Sequence, residues 1–129
     1  MSAQEEVRTL NDQIITAATR GDFAPFATAL DDEIEVFDHV PYLFEGKGKF
    51  LEYLQGAFTG SESATYTLHQ SSCRAISDDV VVMNAYDRLA VTPKGGMPQV
   101  QGGRVTWVYA KRGRDWKIVS AHFSPLSKQ

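Results

Sequence analysis

Residues 102–124 read GGRVTWVYAKRGRDWKIVSAHFS. Two β-rich runs flank a short charged turn. In the first run Val105, Trp107 and Tyr109 alternate with Arg104, Thr106 and Val108. A period of two assigns each set to one face of a strand. The run WKIVSAHF after KRGRD supplies the returning strand, so the stretch predicts a long hairpin centred near Arg112 and Gly113. Both Trp residues lie in it, as does one of the three His. In the returning strand Trp116, Ile118, Ser120, His122 and Ser124 share one parity, and Lys117, Val119, Ala121 and Phe123 the other. The first set passes from apolar to polar toward the chain end. That gradient suits a container with a sealed apex and a hydrated mouth.

The sheet extends upstream. Thr65 to Ile76 predicts a strand with Tyr66, Leu68, Gln70 and Ser72 on one face and Thr67, His69, Ser71 and Cys73 on the other. Asp78-Asp79 reads as a tight turn, Val80 to Val91 as a long strand, and Thr92 to Val100 as a Gly- and Pro-rich loop. Before these come three helical segments. Val7, Leu10, Ile14, Ile15 and Ala18 mark one helix face over Glu5 to Thr19, with Ser2 and Glu5 as a candidate capping box. Gly21 breaks that helix, Asp22 is positioned to cap the next, and Pro25 falls early in it, where a missing N–H costs little. Phe50, Leu51, Leu54 and Phe58 predict a third helix over about Lys47 to Phe58, followed by a loop at Thr59 to Ala64. A short strand stands between the second and third helices, with Ile34, Val36 and Asp38 on one side and Glu35 and Phe37 on the other. Helices gathered on one face of a mainly antiparallel sheet make an α+β arrangement.

Composition sets the limits. The chain has 129 residues, 43% hydrophobic and 22% charged, an ordinary globular balance for one domain with a sizeable core. The net charge of -3 and the lack of a basic block argue against nucleic acid. Lys111, Arg112 and Arg114 read as solvated charge in a turn. A single cysteine, Cys73, excludes an intrachain disulfide and reads as a small buried hydrophobe. No apolar run is long enough to span a membrane, and MSAQEEVRTL lacks the pattern of a signal peptide, so a cytoplasmic location is expected. His39, His69 and His122 have no metal-ligand spacing, and no metal site is expected. The Gly46/Gly48 pair lacks the context of a phosphate-binding loop.

The segment RVTWVYAKRGRDWKIVSAHFS resembles the closing hairpin of the superfamily named after nuclear transport factor 2, most closely its SnoaL-like and ketosteroid-isomerase-like branch. The resemblance is carried by Arg104, Thr106, Trp107, Trp116, Lys117, Ile118, Val119, His122 and Ser124. It extends to an early acidic strand, Asp31 to Asp38, then Phe44, Gly46, Gly48 and the helix through Phe50 and Leu54. The closing motif also resembles the association domain of calcium/calmodulin-dependent kinases. The resemblance implies an α+β fold: a cone-shaped, strongly curved, mixed or antiparallel sheet wrapped around three N-terminal helices, one domain over residues 1–129. It implies a hydrophobic, polar-tipped cavity for a small molecule, with proton-transfer isomerase or lyase chemistry. The alternative is a non-catalytic association module of the same fold. No cofactor is implied. A homodimer through the convex sheet face is expected with either function.

By the same resemblance, steroid isomerases need an Asp base near the end of the first strand, with a Tyr and a second, protonated acid as an oxyanion hole. Asp38 matches the base and Tyr86 offers a hydroxyl. Asp87 adjoins Tyr86 and so faces the other way in a regular strand, which leaves that Tyr without an acid partner. Asp38 and His39 are adjacent, so only one of them faces a pocket if the strand continues. His122 is read either as a general base or ligand contact, or as a histidine satisfied by its neighbours. Arg104 approaches the level of His122 across the hairpin, and Arg88 lies in the strand before. An inward guanidinium there would hold a carboxylate or phenolate, so the ligand is expected to be hydrophobic or anionic. Otherwise these arginines pair with Asp38 or Asp87, or face solvent. Tyr42, Phe44 and Phe58 are candidates for the mouth or for core packing, and Ser124 joins the ligand-binding set.

Overall fold

The computed structural model describes residues 1–39 and 43–126. The element order is α1 (Ala3–Thr19), α2 (Ala24–Ala29), β1 (Leu30–Phe37), β2 (Leu43–Glu45), α3 (Lys47–Phe58), β3 (Ser61–Ser77), β4 (Val80–Pro93), β5 (Gln99–Arg112) and β6 (Asp115–Pro125). The Ser2 hydroxyl caps α1 by accepting the Glu5 N–H at 3.2 Å. The Asp22 carboxylate accepts the Ala24 N–H at 3.0 Å, and Pro25 occupies the first turn of α2. α3 spans the expected residues. β2 was not anticipated, and the loops are shorter than expected because β3 begins at Ser61 and β4 runs on to Pro93.

The six strands form one mixed sheet in the order β2-β1-β6-β5-β4-β3. β1 runs parallel to β6, and the other neighbouring pairs are antiparallel. The β5–β6 hairpin closes with Arg112 opposite Asp115, and Gly113 takes a φ of +64°, where a residue with a Cβ is strained. The helices cover the concave face. α1 packs on β3 and β4, α2 on α1 and β6, and α3 on β1 and β2. This is the α+β cone that the hairpin implied.

On β5 the alternation holds throughout. Val105, Trp107 and Tyr109 are buried in the concave core, while Arg104 is exposed on the convex side. The Tyr109 hydroxyl donates to Asn11 Oδ1 at 2.7 Å, which ties α1 to β5 through a buried polar pair. Burial raises the pKa of that phenol well above its ordinary value, with the Cys73 thiol adding to the effect. Cys73 itself is buried, as expected for a small hydrophobe.

On β6 the alternation breaks. Val108 faces Ser120 and Tyr109 faces Ile118, which leaves Val119 without a partner. This bulge switches the parity of every residue beyond it. Trp116 and Ile118 point into the core as expected, but the inward positions then pass to Ala121 and Phe123. His122 and Ser124 turn outward and are exposed. A second irregularity lies in β3 between His69 and Ser72, where Gln70 has a φ of 53°. It switches the inward set from Tyr66 and Leu68 to Cys73. No helix among the described residues is long and apolar enough to cross a membrane.

Candidate functional site

The concave side of the sheet and the three helices enclose a cavity of about 410 Å³. Its walls are largely aromatic and aliphatic. Phe23 and Phe58 stack at 6.0 Å, Phe26 and Trp107 approach to 5.2 Å, and Phe50 lies 6.2 Å from Phe123. Leu51 and Leu54 of α3 and Ile14, Ile15 and Ala18 of α1 complete the apolar lining. Such a volume and lining suit a small organic ligand.

Asp38, His39, Tyr66 and Asp87 are set into this wall, as are the polar side chains of Tyr53, Gln55 and Gln101. Asp38 follows the last residue of β1 and continues the inward side of Ile34 and Val36. Its Oδ1 accepts the backbone N–H of His39 at 2.6 Å, and His39 Nε2 lies 4.0 Å from the same oxygen. Both residues line the cavity because the strand ends at Phe37 and the chain turns, so strict alternation no longer applies. Tyr66 of β3 and Asp87 of β4 meet across the strand pair. Tyr66 is opposite Leu89, one diagonal step from Asp87, and its hydroxyl donates to Asp87 Oδ2 at 2.5 Å.

The position of Asp87 depends on a glycine. Gly103 is its partner on β5, and a Cβ at that position would lie 2.7 Å from Asp87 Oδ1 and 2.6 Å from the Ser124 carbonyl oxygen. Without a side chain at 103, the carboxyl rests against the β5 backbone. Burial raises the Asp87 pKa above the usual carboxylate value; the Tyr66 hydrogen bond and His39 oppose that shift, and the Asp38 charge adds to it. The Tyr66 phenol is raised well above its ordinary value by burial, by the charge and hydrogen bond of Asp87, and by Asp38. Tyr53 of α3 is raised by burial and then by Asp38. These groups therefore sense one another across a poorly solvated space.

Of the site residues expected from sequence, Asp38 and Phe58 line the cavity. Tyr42 lies outside the described residues. Tyr86 and Arg104 do not reach the cavity; they line a more open convex depression of about 300 Å³ with Gln70, Ser72, Asn84 and Thr106. Arg88 shares the outward parity of Tyr86 and is exposed. His122 packs edge-on against Phe37 at 5.2 Å on the outer face, and Ser124 is exposed. The inward cationic site envisaged for Arg88 and Arg104 is thus not assembled. The β6 bulge sends His122 and Ser124 outward, and regular alternation does the same for Tyr86, Arg88 and Arg104.

The hydroxyl and carboxyl that meet in the cavity wall are Tyr66 and Asp87, a pairing that sequence reasoning did not assign. One signal for Asp87 was present. It shares the parity of Val81, Met83, Ala85 and Leu89, so a carboxyl interrupts an otherwise apolar inward row. Nothing comparable marks Tyr66, whose role depends on strand register.

Comparisons with known proteins agree with this architecture. The chain superposes on an NTF2-like protein of unknown function from Pseudomonas putida KT2440 with a TM-score of 0.80 and 21% identity, covering 98% of this chain and 89% of that one. A provisional calcium/calmodulin dependent protein kinase II association domain from Xanthomonas campestris gives 0.79 and 22%, covering 96% and 88%. A hexachlorocyclohexane dehydrochlorinase, LinA type 2, gives 0.73 and 14%, covering 95% and 88%. At these identities the likeness is one of fold. No curated protein matches the sequence significantly. The model of the SnoaL-like domain matches residues 7–128, nearly the whole chain, and the protein belongs to that family.

Proposed function

We propose that the protein binds a hydrophobic small molecule in its cavity and catalyses proton transfer on it, as an isomerase or a lyase. One observation carries this reading: Asp38, His39, Tyr66 and Asp87 line a largely apolar, aromatic cavity. Asp38 is the base. Its side chain is 14% exposed, and its carboxylate takes a proton from a C–H bond of the ligand. The electron pair left on carbon moves into an adjacent carbonyl and is reprotonated in an isomerisation, or expels a β-leaving group in an elimination. The Tyr66–Asp87 pair seats the polar end of the ligand. His39 stands beside Asp38, with its Nε2 4.0 Å from Oδ1. The fold likeness to a dehydrochlorinase is compatible with the elimination branch.

2-Tetralone, a neutral ketone with an acidic α-C–H, tests the chemistry. In D2O the protein is expected to accelerate deuterium uptake at that carbon above the buffer rate, as followed by NMR. Asp38→Asn is expected to lower the catalysed rate by about 10²-fold or more, the usual range for loss of a general base. Uptake that is equal in the two proteins would remove Asp38 from the role of base.

A second reading, association of two copies through the convex face, has its own observation. Phe37 is 49% and Tyr86 45% exposed on that side of the sheet. An apolar patch there is stabilised by a two-fold partner, and this is compatible with ligand binding inside the cone. Sedimentation equilibrium at micromolar concentration is expected to give a dimer, and Tyr86→Glu to weaken it by about tenfold or more, since a buried aromatic anchor is exchanged for an unpaired charge. A monomeric native chain would end this reading.

A further inference from the structure

We propose that the cavity takes a hydrophobic amine, bound as its ammonium cation against Asp87 with Asp38 nearby, and that it rejects organic anions. This deepens the reading of the cavity as the ligand site and rests on it. Asp87 is 8% exposed and lines the cavity. Its side-chain hydrogen bond comes from the Tyr66 hydroxyl. Ion pairs among the described residues join His39 to Asp38 and Arg112 to Asp31, and none reaches Asp87. A buried carboxylate with no cation beside it is costly, so a proton or the positive charge of a guest must neutralise it.

The walls bring no permanent cation to Asp87. Among the described residues no Lys or Arg lines the cavity, and His39, which sits with Asp38, is the lining group able to carry positive charge. Arg88 and Arg104, which would have favoured an anion, lie on the other side of the sheet. The Asp38 charge raises the pKa values of Tyr53, Tyr66 and Asp87 alike, as a negative potential inside the cavity would. A ligand carboxylate entering this space meets like charge in a poorly screened setting. An ammonium meets opposite charge, and the ring faces of Phe26, Phe50, Trp107 and Phe123 accept the organic body and attract the cation as well.

Three probes of nearly equal shape separate the possibilities: 2-(aminomethyl)naphthalene, 2-(hydroxymethyl)naphthalene and 2-naphthoate, each titrated calorimetrically into the full chain at pH 7. The amine is expected to bind at least about tenfold more tightly than the alcohol, and the alcohol at least about tenfold more tightly than the carboxylate. Asp87→Asn and Asp38→Asn are each expected to shrink the amine-to-alcohol ratio while leaving alcohol affinity within about twofold. Asp38→Asn, at the less buried position, keeps the test decisive if Asp87→Asn fails to fold. A carboxylate that binds as tightly as the amine, or an amine preference that survives Asp38→Asn, would overturn charge selection while leaving the cavity a ligand site. Failure of all three probes to bind would overturn both the proposal and the reading beneath it.

Discussion

Deletion of Thr106 is expected to unfold the protein or reduce its stability by about 3–6 kcal/mol, whereas deletion of Val119 is expected to cost no more than about 1–2 kcal/mol. β5 is regular around Thr106, and Val105, Trp107 and Tyr109 all face inward. Without Thr106, Val105 and Trp107 are adjacent and must face opposite ways. If Trp107 and Tyr109 stay inside, Val105 turns out and Arg104 turns in. Exposure of Val105 forfeits about 1.5–3 kcal/mol of apolar burial, and a buried polar group without a partner costs about 1–3 kcal/mol more. A domain whose total stability is about 5–15 kcal/mol tolerates that poorly. Val119 is the unpaired residue of β6, between Ile118 opposite Tyr109 and Ser120 opposite Val108. Its removal makes β6 regular and leaves Trp116, Ile118, Ala121 and Phe123 inside, because Val119 is the one extra residue between the two halves of the strand. Urea unfolding followed by circular dichroism checks both deletions. Equal losses from the two would show that the bulge does not set the β6 faces.

Trp107→Ala is expected to destabilise the fold by about 3–5 kcal/mol, the range for removing a large buried aromatic side chain. Trp107 is 1% exposed and packs against Phe26, Tyr109 and Phe123, so it joins the hairpin to α2 and to the next strand. It also forms part of the cavity wall. Its truncation should therefore enlarge the cavity and weaken binding of naphthalene-sized ligands. Trp107→Phe keeps a ring in place and also removes the Nε1 hydrogen, which has no hydrogen-bond partner. Its cost should be clearly smaller than that of the alanine variant. Equal losses from the two substitutions, measured by denaturant unfolding, would mean that ring packing is not the source of the effect.

These changes of chain length and of side chain mark the boundary between local and tertiary information. The β5 faces were legible because Val105, Trp107 and Tyr109 obey an unbroken period of two, and the structure buries all three. The bounds of α3 and the Ser2 cap of α1 were legible because helix signals act over three or four residues. Asp38 was legible through its parity with Ile34 and Val36, together with a family resemblance. The site residues Tyr66 and Asp87 are 21 positions apart, and their hydrogen bond exists only once β3 and β4 have adopted their register. Neither the family motif nor the period of two contains that register.

The sequence by itself determined an α+β chain, its closing hairpin, and the cone expected of the SnoaL-like family, because these follow from hydrophobic period, turn chemistry and a motif spread along β5 and β6. Tertiary structure alone decided what faces the cavity. One unpaired residue in β6 exchanged His122 and Ser124 for Ala121 and Phe123. The end of β1 at Phe37 allowed both Asp38 and His39 to face inward. A glycine on β5 made room for the Asp87 carboxyl. Strand parity reverses with each inserted residue, so a single bulge outweighs any local preference of the side chains beyond it.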